Sequence, residues 1–149
     1  MSQQYVVFKL NGESFGVEIA HVLEIIRTQV VFKVPNAPEF IDGLINLRGK
    51  VYTLFNLRKK FRLPTSDINT EDSKILIVDV NSMYVGLAVD TVDEIIQLED
   101  DAIETTPPTF TTLDQKYLSG VAKTGDKLIL LLDLESLTAS SKEYSHQNT

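Results

Sequence analysis

Short apolar runs rich in β-branched and aromatic residues recur along this chain, and turn-forming pairs separate them. Tyr5 to Leu10 leads into Asn11-Gly12, and Phe15 to Ile19 reads as the return strand of a hairpin. Ile75 to Val80, Asn81-Ser82 and Tyr84 to Val89 repeat that arrangement. Leu44 to Leu47 and Val51 to Phe55 flank Arg48-Gly49, and Val121 to Lys123 and Leu128 to Leu132 flank Gly125-Asp126. Regular spacing of short, turn-bounded strands predicts small barrels or a sandwich. Helical signals are few. Asn56 and Asp133 are good N-cap residues, which predicts one or two helical turns over Leu57 to Phe61 and over Leu134 to Leu137. Pro38 predicts a further short helix ending before Gly43. His21 to Ile26 reads as a turn entering a strand, because helical spacing there competes with β-branched residues.

The hairpins belong to an internal duplication. Phe15-Gly16-Val17-Glu18-Ile19 followed by Val22-Leu23-Glu24-Ile25-Ile26 matches Val85-Gly86-Leu87-Ala88-Val89 followed by Val92-Asp93-Glu94-Ile95-Ile96. Pro38 and Pro108 keep that register. At a slightly longer offset, Phe40-Ile41-Asp42-Gly43-Leu44 matches Tyr117-Leu118-Ser119-Gly120-Val121, and Leu54-Phe55-Asn56-Leu57 matches Leu131-Leu132-Asp133-Leu134. Repeated sequence predicts repeated structure, and two copies suit a paired domain better than a solenoid. The expected organisation is one domain over 1–137, built of halves at approximately 5–63 and 74–137 whose boundaries are free to interleave. Pro64 to Ser73 is the polar link, and 138–149 is a flexible polar tail.

Composition narrows the function. A chain of 149 residues with 43% hydrophobic and 23% charged residues suits one soluble domain. With no cysteine there are no disulfides, thiolate metal sites or cysteine nucleophiles, which fits a cytosolic protein. The first ten residues lack the basic stretch and apolar core of a signal peptide, and the longest apolar run, Leu128 to Leu132, is far too short to cross a membrane. A net charge of -7 favours protein partners over nucleic acid.

Catalytic signals are scarce. His21 and His146 stand apart from any zinc-ligand spacing, and no nucleophile elbow, P-loop or dinucleotide fingerprint occurs. Glu99-Asp100-Asp101 and Asp90/Asp93/Glu94 read as solvated surface, since sequence alone places neither in a cleft. The paired glycines Gly16/Gly86 and Gly43/Gly120 read as bulges, bends or close backbone approaches inside strands. Arg48 at a hairpin turn is the sharpest local candidate for a contact, because a guanidinium is planar and donates several hydrogen bonds. The competing reading is an ordinary exposed arginine.

The string Phe40-Ile41-Asp42-Gly43-Leu44-Ile45-Asn46-Leu47-Arg48-Gly49 resembles the G-x-x-N-L-R-G hairpin of CheW-like domains. Tyr5 to Leu10, Phe15 to Ile19, Val22 to Ile25, Val85 to Asp90, Tyr117 to Val121 and Leu131 to Leu134 are also similar to family segments, so the resemblance spans roughly Gln4 to Leu137. It implies two five-stranded SH3-like β-barrels packed on a shared apolar interface, with a few short helices. It also implies a cytoplasmic chemotaxis adaptor recruited to membrane receptor arrays, with no catalysis, cofactor, metal or membrane insertion. The implied partners are the cytoplasmic tip of methyl-accepting chemoreceptors and the regulatory domain of the histidine kinase CheA. By the same resemblance Val22, Glu24, Gly43 and Arg48 fall at coupling positions. Gly86 and Ile95 match further sensitive positions, where structural support is an equally good reading. Apolar character adds Val17, Val22 and Ile25 as lining for a receptor groove, and the loop Thr105 to Leu113 is a contributor to the kinase surface.

The family's usual Pro and Asp after this hairpin are Thr53 and Asn56 here. Asn keeps the N-cap, and losing the Pro frees a backbone N–H for the ladder. Two alternatives remain at this point: an accessory scaffold or kinase-regulatory module of the same domain type, and a small-barrel nucleic-acid binder, which should carry a basic, aromatic-rich stripe.

Overall fold

The computed structural model describes residues 2–65, 71–104 and 115–139. Eleven strands occur among them: β1 (Ser2–Leu10), β2 (Glu13–Glu18), β3 (Val22–Arg27), β4 (Ile41–Leu47), β5 (Lys50–Asn56), β6 (Lys74–Val80), β7 (Met83–Val89), β8 (Thr91–Glu99), β9 (Ile103–Glu104), β10 (Leu118–Thr124) and β11 (Lys127–Leu132). Helix α1 covers Leu57–Lys60, and a second helix, α2, starts at 134 and is described to 139. Both helices start as the N-cap residues predict. Asn56 Oδ1 accepts the Lys59 N–H at 3.1 Å, and Asp133 Oδ1 accepts the Glu135 and Ser136 N–H groups at 3.1 and 3.3 Å.

The strands form two sheets, ordered β8-β1-β2-β11-β10-β9 and β3-β6-β7-β5-β4. Each contains the first hairpin of one sequence copy inserted among later strands of the other. The inserts are held by parallel pairing: β2 beside β11, and β5 beside β7. The halves at 5–63 and 74–137 therefore do not coincide with the sheets. Hairpin pairing is local, but the parallel joins form only between copies.

Both sheets curl until their ends meet. In the first, β8 continues through a 3-10 turn at Asp100–Ala102 into β9, which pairs with β10 at the opposite end. In the second, the chain beyond β3 reaches β4 through paired bonds between Phe32 and Leu44, each 2.8 Å. We call the first barrel A and the second barrel B. The duplication extends to irregularities: register shifts fall between Ile41 and Gly43 in β4 and between Leu118 and Gly120 in β10.

These closures explain two of the paired glycines. A Cβ on Gly43 would lie 2.3 Å from the Phe32 carbonyl oxygen, and its φ of +145° disfavours any side chain. A Cβ on Gly120 would lie 2.9 Å from the Glu104 carbonyl oxygen. At both positions the strand that closes the barrel crosses where a side chain would stand.

Burial divides into three layers. Barrel A encloses Tyr5, Val7, Leu98, Ala122, Ile129 and Leu131, and barrel B encloses Ile45, Leu54, Ile75 and Ile77. The largest cluster lies between the barrels and draws on both, with Phe8, Phe15 and Leu130 from A and Phe55, Leu76 and Leu87 from B. A line of rings, Phe8, Phe15, Phe61 and Tyr117, at centroid spacings of 6.0, 5.7 and 5.9 Å, threads this layer.

Three expectations change here. No helix forms between Pro38 and Gly43. Ile41 N–H closes a single turn on the Pro38 carbonyl, while the Leu44 N–H that a helix would direct to Phe40 bonds Phe32 instead. The Phe40 carbonyl is taken by Asn56 N–H at 2.7 Å. The tail does not begin at 138: Thr138 is buried and helical, and its hydroxyl donates to the Leu134 carbonyl at 2.7 Å. Finally, Asp90 is no solvated carboxylate, since it binds the buried Arg58 with Nε–Oδ1 at 2.8 Å. Pro108, the loop 105–113 and the tail from 140 lie outside the described residues.

Replacing Gly43 by Ala should remove about 3 kcal/mol or more of stability, because backbone must move to admit the methyl group. Gly125→Ala, at φ +59° with open space around it, should cost only about 1–2 kcal/mol. Urea denaturation of the two variants checks the contrast.

Candidate functional site

β3 and β4 stand at opposite ends of the sheet that forms barrel B, so barrel closure brings their side chains together. Glu24 on β3 pairs across to Ile77, an interior residue of barrel B, which places its carboxylate at the rim of that interior. Arg48 reaches it from the β4–β5 turn. Arg48 and Gly49 both have positive φ, 51° and 86°, as a two-residue type I′ hairpin loop requires. The Asn46 side chain accepts the Gly49 N–H at 3.0 Å and braces the loop. The guanidinium donates to Glu24 Oε2 and stays 67% exposed.

Electrostatics follow from that contact. The hydrogen bond from Arg48 holds the Glu24 carboxyl below its usual range; burial opposes it, and the Arg48 charge adds to the lowering. Glu24 raises the Arg48 pKa in return. The pair is open to water, so salt screens it and it adds little to stability. Its value lies in presenting a fixed, planar donor at a rim.

Apolar residues neighbour the pair along β3 and β5. Val22 packs against the inter-barrel cluster and is half-buried, while Leu23 and Ile25 on the same strand are 54% and 40% exposed. Val51, just past the hairpin turn, is 60% exposed. An exposed apolar group rimmed by charge is the usual make-up of a protein-binding surface. The duplication places a counterpart on barrel A. There Lys127 Nζ donates to Asp93 at 2.9 Å and Glu94 at 3.2 Å, beside exposed Ile95 and Leu128. The Lys127 hydrogen bond lowers the Asp93 pKa.

Of the sequence candidates, Glu24 and Arg48 meet at the rim of barrel B, while Val22 and Ile25, on the same strand as Glu24, pair across to Val78 and Leu76 of the inter-barrel layer. Gly43 lies on the Arg48 hairpin but under the Phe32 carbonyl, where it serves barrel closure. Gly86 faces the interior of barrel B, where a Cβ on it would lie 3.0 Å from Ile75 Cγ2 and 3.2 Å from Leu54 Cδ1. Ile95 belongs to the counterpart face. Val17 requires correction: it is fully buried in the inter-barrel layer and offers no side-chain surface to a partner. Its strand faces inward at that position because Val6, its neighbour across the hairpin, belongs to the same layer. Sequence reasoning does not single out Leu23 or Val51. The duplication contains a signal for Val51, which aligns with Leu128 in the second copy. His21 is locally bonded: its Nδ1–H donates to the Asp79 carbonyl at 3.1 Å. Among the described residues no group of three or more potential metal ligands occurs, and no helix is long and apolar enough to cross a membrane.

Comparisons with known proteins agree on one family. The CheW-like domain profile matches residues 4–142. The chain is 30% identical over 142 residues to the chemotaxis protein CheW of Klebsiella aerogenes, covering 95% of this chain and 85% of that one. It is 31% identical over 135 residues to the chemotaxis protein CheW of Helicobacter pylori, covering 90% and 80%. The crystal structure of the scaffolding protein TtCheW from Thermoanaerobacter tengcongensis superposes with a TM-score of 0.84 at 39% identity, over 92% of this chain and 88% of that chain.

Since its folded pKa is depressed, Glu24 stabilises the fold at pH above its unfolded value, and that contribution is lost as pH falls through the folded value. Arg48→Ala should therefore raise the Glu24 titration midpoint toward that of an ordinary glutamate, and high salt should do so in part in the parent protein. Carboxyl-detected NMR titration reads both shifts directly.

Proposed function

The chain belongs to the CheW-like domain family, and on that premise we propose that it couples chemoreceptors to their histidine kinase in the cytoplasm, as a non-catalytic scaffold of chemotaxis. The observation that carries the reading is the rim of barrel B, where the exposed Arg48–Glu24 pair is flanked by Leu23, Ile25 and Val51. A receptor tip is a helical hairpin. Its apolar face would lie along Ile25 and Val22, in the helix-in-groove mode. Arg48 would meet a carboxylate or a helix-end carbonyl of the tip and fix its register, contributing more to specificity and association rate than to bulk affinity.

The counterpart face on barrel A, Ile95 and Leu128 beside Lys127, would take the regulatory domain of the CheA kinase. Two faces on two barrels let one small protein hold both partners, which raises the effective concentration of each near the other. That arrangement would recruit the chain to receptor arrays. A nucleic-acid role is not favoured, given the net charge of -7 and the family.

Arg48→Ala and Ile25→Ala should each weaken binding of a receptor-tip fragment by about tenfold while leaving the melting temperature close to that of the parent. Ile95→Ala with Leu128→Ala should weaken binding of the kinase regulatory domain and spare the receptor. Isothermal titration with partners from the same organism checks both. Failure of the parent chain to bind either partner at high concentration would overturn the coupling function and leave only the fold.

A further inference from the structure

Among the described residues the chain passes between the barrels twice, and the two crossings differ in kind. From β2 to β3 it uses a 3-10 turn at Ile19–His21. From β7 to β8 a single residue, Asp90, makes the passage. Asp90 N–H donates to the Lys9 carbonyl at 3.0 Å. Its carboxylate accepts the Asn11 N–H from the β1–β2 turn of barrel A at 2.7 Å. It also accepts bonds from Arg58 of α1, which follows the last strand of barrel B: from Nε at 2.8 and 3.1 Å and from Nη2 at 2.5 Å. Arg58 Nη1 holds the Pro64 carbonyl at 2.5 Å, and its side chain is only 7% exposed.

The duplication supplies an internal comparison. Position 90 aligns with Ala20, which has no side chain to make such bonds, and Arg58 aligns with Glu135. Glu135 makes one bond in the matching place, accepting from Asn81 Nδ2 at 2.9 Å, and it is exposed. One side of the molecule thus carries a buried, forked ion pair, and the other a single exposed hydrogen bond to a neutral donor.

An apolar layer makes the barrels adhere but is non-directional, so it tolerates sliding and rotation. A forked guanidinium–carboxylate contact fixes both distance and angle. We propose that Arg58 and Asp90 are positioning residues that set the rotation of one barrel on the other. Through that rotation they set the spacing of the two partner faces, an assignment that rests on the coupling reading above. Their side chains are only 7% and 20% exposed.

The chain has no cysteine, so spin labels attached after Lys50→Cys in barrel B and Lys123→Cys in barrel A report the inter-barrel distance alone. Pulsed dipolar spectroscopy should give one narrow distribution in the otherwise unaltered protein. Combining Arg58→Met with Asp90→Asn removes both charges together, leaves no lone buried ion, and keeps an acceptor for Asn11. The distribution should broaden and move while circular dichroism stays constant. Asp90→Glu, which keeps the pair and lengthens its arm, should move the distribution without broadening it, and it serves if the double substitution does not fold. In unlabelled protein the double substitution should leave each partner's separate affinity within about twofold, and weaken the three-component complex by about tenfold. An unchanged distribution in whichever variant folds would overturn the assignment. Failure of the unaltered chain to bind either partner would instead strike the coupling reading, with the distance measurement still deciding the positioning role.

Discussion

Parallel pairing of β2 with β11 and of β5 with β7 is the constraint on which everything else depends. Without it each sequence copy would be a hairpin and a few strands with open edges and an unburied apolar face. With it each barrel is completed by the other copy, and the outer faces of both sheets become the largest apolar layer of the molecule. Neither copy encloses a core by itself. The closures at Phe32–Leu44 and at β9–β10 then remove most of the remaining edge, and the two bare glycines let backbone pass at van der Waals range.

That architecture suits coupling. Barrel closure sets two distant strands side by side, so a glutamate from β3 and an arginine from a hairpin turn meet at a rim that neither strand forms alone. Duplication repeats the design on the other barrel with different chemistry: an arginine on one carboxylate on one face, a lysine shared by two carboxylates on the other. A protein that must bind two unlike partners at once gains two surfaces of common geometry and distinct charge. The polar contacts at those rims are exposed and salt-sensitive, whereas the contact at the Asp90 crossing is buried. This division separates the groups available for recognition from those that hold the frame.

Much of the frame is legible in the sequence because strands and turns leave local signatures. Asn11-Gly12 and Arg48-Gly49 mark tight turns, Asn56 and Asp133 cap helices, and the repeated glycines mark close approaches. The interleaving is not legible as such, since pairing between copies depends on long-range register and leaves no local period. Pro38 misleads because a proline that can open a helix also opens a turn, and the Phe40 carbonyl and Leu44 N–H that a helix would pair are taken by Asn56 and by Phe32. Val17 misleads because apolar character alone cannot distinguish a groove from a core. The Arg48–Glu24 contact joins a hairpin turn to a strand distant in sequence, so sequence nominates both without showing that they touch. Asp90 resembles its acidic neighbours in composition, and only the fold gives it a buried partner.

The central claim is that the rim of barrel B receives the receptor. Methyl NMR of the chain titrated with a chemoreceptor tip fragment tests it most directly. The account predicts shifts and broadening at Val22, Leu23, Ile25 and Val51, with Ile95 and Leu128 unmoved. Perturbation confined to Ile95 and Leu128, with the β3 methyl groups unchanged, would contradict it.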